Sequence, residues 1–324
     1  MLCNVIGFIT LNFNSLLKMI KRTLHFGNPA YLNLKDQQLV VTFPNDQGYA
    51  DKGKNNSIPV EDVGMVILDS KQITITHALL NALLGNKAII VSCDDSHHPI
   101  GMMHSLDGHS EQSKRMAAQI ESSEPLRKNI WQQTVSQKLM NQAVLLKKRK
   151  RPFEPVIRWS KQVRSGDPDN FEGRGAAHYW EYIFADNPFF LRDRNGHPPN
   201  AWLNYGYAVL RACMARAIVG SGLIPTLGIH HRNKYNAYCL ADDLMEPYRP
   251  VVDWAVCQLM EKMEPVNDIG KEVKHCLLSL PSTDVRINGE KSPVMVAMQR
   301  TSASLVKCYL GETRLVLLPE MIFD

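Results

Sequence analysis

The 324-residue sequence lacks the short motifs by which nucleotide-using enzymes are recognised. It has no GxxxxGK[ST] loop and no strand-linked GxGxxG, so neither ATP nor NAD use is indicated. GxSxG and HExxH are also missing, which argues against a nucleophile-elbow hydrolase and a zincin. Its seven cysteines form no CxxC pair. That spacing makes a thiolate zinc site unfavourable, and the odd count does not suit a disulfide framework. Cys213, Cys257 and Cys276 fall among apolar residues at helical spacing and read as buried free thiols of a reducing cytosol. Long apolar runs are absent too. Residues 1–17 are uncharged but include Asn4, Asn12 and Asn14, and fall short of the roughly 20 apolar residues a membrane span needs. Lys18, Lys21 and Arg22 follow this stretch, whereas a secretory signal carries its basic residues in front. Residues 1–18 are therefore expected to be an extension ahead of a start at Met19, on a soluble cytoplasmic protein.

What is present is an ordinary globular composition, 44% apolar and 21% charged, at a length that suits about two domains. From 20 to 105 the pattern is short and strand-like: Thr23–Phe26, Gln38–Thr42, Val63–Leu68, Gln72–Ile75 and Ala88–Ser92, with one helix over Ala78–Leu84. After Gly108 the texture changes to long windows of 3.6-residue periodicity. Helices are predicted over 110–122, 125–150, 153–164, 168–184, 200–220, 250–263, 269–280 and 292–310. The fold class that follows is α+β with two domains: a small β domain over 19–105 and a larger all-α domain over 106–324.

Charge is distributed unevenly. Residues 111–164 hold 13 Lys+Arg and four Asp+Glu, a local net of +9 in a chain whose total is +5. The peak is Lys147-Lys148-Arg149-Lys150-Arg151. A basic segment on a near-neutral body is the footprint expected of a phosphate-binding surface, although a solvated helix face produces the same run.

Three segments could carry chemistry. Glu172 opens a helix whose next turn is Gly175-Ala176-Ala177, small enough for a second backbone to come close; an acid in a first turn also simply favours the helix dipole. Gly222–Asn233 is an apolar loop with paired His230 and His231. Leu240–Pro250 places Asp243 and Glu246 three residues apart, on one face if helical, with Pro247 and Pro250 suited to the opening of the next helix. Glu, His and Glu make an O/N/O donor set suited to Mg²⁺ or Mn²⁺. A rival cluster, Asp94, Asp95, His97, His98, His104 and His109, has no metal-type spacing and reads as a solvated loop. Trp202, Tyr205 and Tyr207 could stack on bases, but their helical spacing favours a core.

At these segments the sequence resembles the CRISPR-associated spacer-acquisition integrases, the larger subunit of the adaptation complex, in their type II lineage. The resemblance is carried by TLHFGNPAYLNL (Thr23–Leu34), EGRGAAHY (Glu172–Tyr179), NYGYAVLR (Asn204–Arg211), GLIPTLGIHHRNKYN (Gly222–Asn236) and LADDLMEPYRPVVD (Leu240–Asp253). It implies a β-sandwich-like N-terminal domain that dimerises and a helical catalytic, DNA-binding domain. It implies a site of Glu172, His231 and Glu246 around Mg²⁺ or Mn²⁺, with His230 a neighbour in the loop and Asp243 beside the ligands or among them. The implied reaction is transesterification, in which the 3′-OH of a captured DNA fragment is joined into a repeat array; a metal-dependent nuclease acting on branched or double-stranded DNA is the alternative. The implied partners are double-stranded DNA, a second copy of the chain and a small ferredoxin-like CRISPR-associated protein. Lys147, Lys148, Arg149, Lys150 and Arg151 would hold the DNA backbone.

Overall fold

The computed structural model describes residues 21–44, 50–95, 99–106, 109–193 and 195–323. The expected extension 1–18, the start at Met19 and the pair His97 and His98 lie outside these residues. The chain divides into two compact units, 1–106 and 107–324.

The first unit contains β1 (Arg22–Phe26), β2 (Ala30–Lys35), β3 (Gln38–Pro44), β4 (Ala50–Pro59), β5 (Val63–Leu68), β6 (Ile73–Ile75), α1 (His77–Gly85), β7 (Ile89–Cys93) and β8 (Pro99–Met103). They form two four-stranded sheets, ordered β1-β5-β7-β8 and β4-β3-β2-β6. Strand β5 is an almost continuous apolar run because it lies between two parallel neighbours and is buried along most of its length. Leu24, Val66 and Ile90 stand in register across the first sheet, and Leu32 pairs with Val41 in the second. These residues share one core with Leu79 and Leu83 of α1. Both sheets mix parallel and antiparallel pairs, so the unit is not a simple stack of antiparallel sheets.

Strands β2, β4 and β8 are not among those predicted from the sequence pattern. β4 is the edge strand of its sheet, a position where a polar sequence is tolerated and a row of apolar residues would invite aggregation.

The second unit contains α2 (Gln112–Ile120), α3 (Glu124–Lys148), α4 (Glu154–Ser160), α5 (Phe171–Ile183), α6 (Asn200–Gly220), α7 (Cys239–Met245), α8 (Arg249–Met260), α9 (Lys271–Leu278), β9 (Asp284–Ile287), β10 (Glu290–Pro293) and α10 (Val294–Tyr309). Helix α6 is buried on nearly every side and packs against α7, α8, α9 and α10, which is why its sequence shows no polar stripe. Helix α3 packs against α4, α5, α8 and a 3₁₀ turn over Glu246–Tyr248. Asn141 of α3 fastens the C-terminal segment: Nδ2 donates to the carbonyls of Pro247 and Pro319, and Oδ1 accepts the Met321 N–H.

The all-α expectation for this unit is corrected by the β9–β10 hairpin. Its turn residues Asn288 and Gly289 both have positive φ, as a two-residue hairpin turn requires, and β9 alternates exposed and buried positions. Among the described residues no helix is long and apolar enough to cross a membrane.

Candidate active site

Glu172 is placed by the capping of α5. Asp167 accepts the backbone N–H groups of Phe171 and Glu172, each at 2.9 Å, and Asn170 accepts that of Gly173 at 3.2 Å. These side chains satisfy donors that a helix N-terminus leaves open. One turn on, Gly175 lets α5 meet α3, because a Cβ there would overlap Leu139 Cδ2. Close packing brings Glu172 to the neighbour of Leu139, Lys138, whose Nζ binds Glu172 Oε1.

The same ammonium lies 2.7 Å from Glu246 Oε2, without the angle of an aligned hydrogen bond. Arg249 Nε lies 2.8 Å from the other oxygen, Oε1. Glu246 and Lys138 are buried, at 6% and 5% exposure, while the Glu172 side chain keeps 31% and opens the site to solvent. Burial alone would raise the Glu246 carboxyl, but Arg249 and then Lys138 outweigh it and hold the group below its ordinary value. Burial would likewise lower the Lys138 ammonium, and the two carboxylates, Glu246 ahead of Glu172, reverse that and raise it.

The histidine loop is tied down by Asp243, a completely buried residue of α7. Its Oδ2 accepts the N–H groups of Ile229 and His230 at 2.7 and 2.8 Å, and its Oδ1 accepts His231 Nδ1 at 2.5 Å. A carboxylate can only accept, so Nδ1 carries a proton and the neutral ring presents Nε2 as its free nitrogen. The hydrogen bond to Asp243 raises the His231 pKa, against the opposing effect of burial. Gly228 makes the wrap possible, since a Cβ there would overlap the His231 carbonyl and stand 3.0 Å from Asp243 Oδ2. Trp131 stacks on His230 at 4.3 Å and meets His231 edge-on at 5.6 Å. Burial, and then His231, lowers the His230 pKa.

The structure thus brings Glu172, Glu246 and His231 into one electrostatic neighbourhood, with His231 feeling both carboxylates. As folded, no three His, Cys, Asp or Glu side chains among the described residues are arranged to hold a metal ion. The place between the two glutamates is taken by the Lys138 ammonium. The donor chemistry nevertheless suits a divalent cation: two carboxylates already bridged by a cation, a buried Glu246 oxygen without an aligned hydrogen bond, and an imidazole with one nitrogen free. Asp243 has both oxygens occupied, which makes it the support of His231.

Outside this centre the predicted residues divide. Arg149 and Arg151 both pair with Asp186, and Arg149 also pairs with Glu261 at 2.5 Å, so these two hold the end of α3 rather than a free surface. Lys147, Lys148 and Lys150 remain exposed. Trp202, Tyr205 and Tyr207 are buried, which leaves none of them for base stacking. Of the rival cluster, Asp95 pairs with Lys71 at 2.6 Å, His104 bonds the Ser105 carbonyl and His109 accepts the Glu111 N–H. An open cleft of about 480 Å³ has His231 in its wall, with Arg127, Arg232 and Lys234 as cationic lining and Tyr309 as an aromatic face.

Sequence reasoning missed Lys138, Trp131 and Arg249. A signal existed for the first two: they stand seven residues apart on one stripe of α3 with Val135, so the helical period places a lysine on the buried face.

The family model for CRISPR associated protein Cas1 matches residues 25–284. A CRISPR-associated endonuclease Cas1 of Neisseria meningitidis serogroup C (strain 8013) is 32% identical over 294 residues, spanning 88% of this chain and 91% of that protein. Among solved structures, a casposase bound to integration product superimposes with a TM-score of 0.72 at 18% identity, over 91% of each chain. A Cas6-RT-Cas1–Cas2 complex superimposes with a TM-score of 0.69 at 18% identity, over 94% of this chain and 36% of that one.

Proposed function

The chain belongs to the Cas1 family of CRISPR-associated proteins, and on that footing we propose that it is a metal-dependent DNA integrase of CRISPR adaptation. It joins 3′-OH ends of captured fragments into a repeat array by transesterification. The observation that carries this reading is the convergence of Glu172 and Glu246 on one cation beside a histidine whose other nitrogen is fixed by Asp243.

Glu172, His231 and Glu246 would hold Mg²⁺ or Mn²⁺, which when bound supplies Lewis-acid stabilisation to a phosphodiester and its attacking oxygen. The chain's own groups do the rest. Asp243 orients the His231 ring and keeps the proton on Nδ1. Arg249 offsets the buried charge of Glu246. The cationic lining of the cleft and the exposed lysines at the end of α3 suit the sequence-independent phosphate contacts that varied fragments demand. Exchange of one phosphodiester for another conserves bond energy, so no phosphate loop for ATP is required. A second copy of the chain, through its β unit, and a small ferredoxin-like CRISPR-associated protein complete the assembly in the cytoplasm; the solved complex named above pairs a Cas1 with a Cas2.

The test supplies labelled 3′-OH DNA and a target plasmid with Mg²⁺, Mn²⁺ or a chelator. Joined product that depends on metal and is lost in Glu172→Gln supports the integrase. Cut but unjoined product favours the metal-dependent nuclease, and full joining in chelator or in the Gln variant overturns the metal assignment.

A further inference from the structure

A buried lysine on the seam between two acidic ligand candidates calls for an account of what it does when the divalent ion arrives. We propose that Lys138 is a resident counter-cation of the metal-free site, and that a divalent ion binds by displacing its ammonium from between Glu172 and Glu246. This inference rests on the metal reading above and adds to it a residue that sets metal affinity.

Three observations carry it. Lys138 Nζ bridges both carboxylates, the position a shared cation would take. Among the described residues no three ligating side chains are arranged to hold a metal as folded, so a divalent ion must rearrange this centre in order to bind. Two carboxylates that meet at one cation repel each other once it leaves. The contact to Glu246 Oε2 is close but not an aligned hydrogen bond, so the lysine meets that oxygen as a charge and can be replaced by another charge. Its exit is limited. Lys138 is anchored on the buried face of α3, and Glu172 is the more exposed of its two partners. The freed ammonium must therefore move out past Glu172, where a DNA phosphate bound at the site would receive it. Metal and DNA would then favour each other's binding, because the phosphate supplies the counter-charge that the glutamates no longer offer the lysine.

The experiment measures Mn²⁺ binding to the full-length protein without DNA, by electron paramagnetic resonance and calorimetry, for wild type, Lys138→Met and Glu172→Gln. Methionine matches the unbranched four-atom stem of lysine and removes the ammonium. The expected result is at least a 10-fold tighter Mn²⁺ affinity in Lys138→Met, together with a lower melting temperature in chelator that Mn²⁺ restores. A lysine that merely stabilised the fold would not improve metal binding when removed. Equal Mn²⁺ affinity in wild type and Lys138→Met, with Glu172→Gln weakened, overturns the displacement while leaving the metal site intact. Absence of Mn²⁺ binding in all three overturns both. A second measurement needs no variant: amine-reactive labelling of wild type, read by mass spectrometry, should show Lys138 protected in chelator and several-fold more reactive in Mn²⁺. Unchanged protection with Mn²⁺ bound refutes the displacement.

Discussion

Replacing Asp253 with Asn should flatten part of the pH–stability profile. Asp253 is 1% exposed in α8; its Oδ2 accepts the Tyr179 hydroxyl at 2.7 Å, and its Oδ1 accepts that of Tyr207. Burial pushes the carboxyl up from 3.8 to about 6, against the two hydroxyl donors and the charges of Arg249 and Arg192. A carboxyl that holds its proton more tightly in the folded chain than in the unfolded one stabilises the fold fully below the unfolded value. That contribution is lost as pH rises through about 6. The distance from 3.8 to about 6 corresponds to roughly 3 kcal/mol over the whole range. Of this, roughly 2 kcal/mol should vanish between about pH 4.5 and about pH 7.5. Asn keeps an acceptor for one tyrosine and turns a donor to the other hydroxyl oxygen, so the cavity stays filled and its polar atoms stay paired. Urea unfolding of both proteins at the two pH values isolates the effect, because every other titrating group cancels in the difference. The stability of wild type relative to the variant should fall by about 2 kcal/mol as pH rises across this interval. Parallel profiles would refute the assignment of a raised carboxyl to Asp253.

Three further outcomes follow from the geometry. Gly228→Ala drives a Cβ against the His231 carbonyl and Asp243 Oδ2, neither of which can retreat without breaking the loop anchor. Thermal unfolding should show a destabilisation of about 1–3 kcal/mol, and strand joining should fall more than DNA affinity does; an unchanged melting temperature with full joining would contradict the close approach. At the end of α3, replacing Lys147, Lys148 and Lys150 together with Ala should weaken DNA binding and flatten its log–log salt dependence by up to roughly 2.7, at about 0.9 for each phosphate no longer neutralised. Arg149→Ala, which removes the pairs to Asp186 and Glu261, should lower the unfolding midpoint and leave that salt slope unchanged. Fluorescence anisotropy across a salt series separates the two sets.

The elements legible in the sequence are those whose local pattern and burial agree. The apolar run of β5 and the periodic windows of α3 and α6 fall where the pattern predicts them, to within a few residues at their ends. What escaped was decided by neighbours. β4 is a strand because β3 offers it a row of partners, although its own sequence reads as a polar loop. The β9–β10 hairpin did carry a local signal, Asn288-Gly289 between alternating residues, which the surrounding helical windows obscured. The site divides in the same way. Glu172, His231 and Glu246 stand out by residue type and by the family's motifs. That Lys138 sits between two of them, and that Arg149 and Arg151 are already paired, depends on which helices pack together.

The charges around the two glutamates explain why this centre can fold before any metal reaches it. Glu172 and Glu246 are met by Lys138 and Arg249, two anions against two cations, so these side chains balance in the absence of a ligand. A divalent ion added to that arrangement leaves an excess of positive charge, whether or not Lys138 is displaced. Only an incoming anion can restore the balance, and the phosphodiester of bound DNA is the anion that the proposed reaction supplies. Arg249 cannot take Lys138's place in this exchange, since it lies against the other oxygen of Glu246, and that carboxylate, with the acidic groups around it, outweighs the opposing effect of burial and keeps the guanidinium charged. On the proposed metal reading, the centre would take up metal weakly alone and firmly with DNA, which would keep it inactive until DNA is in place.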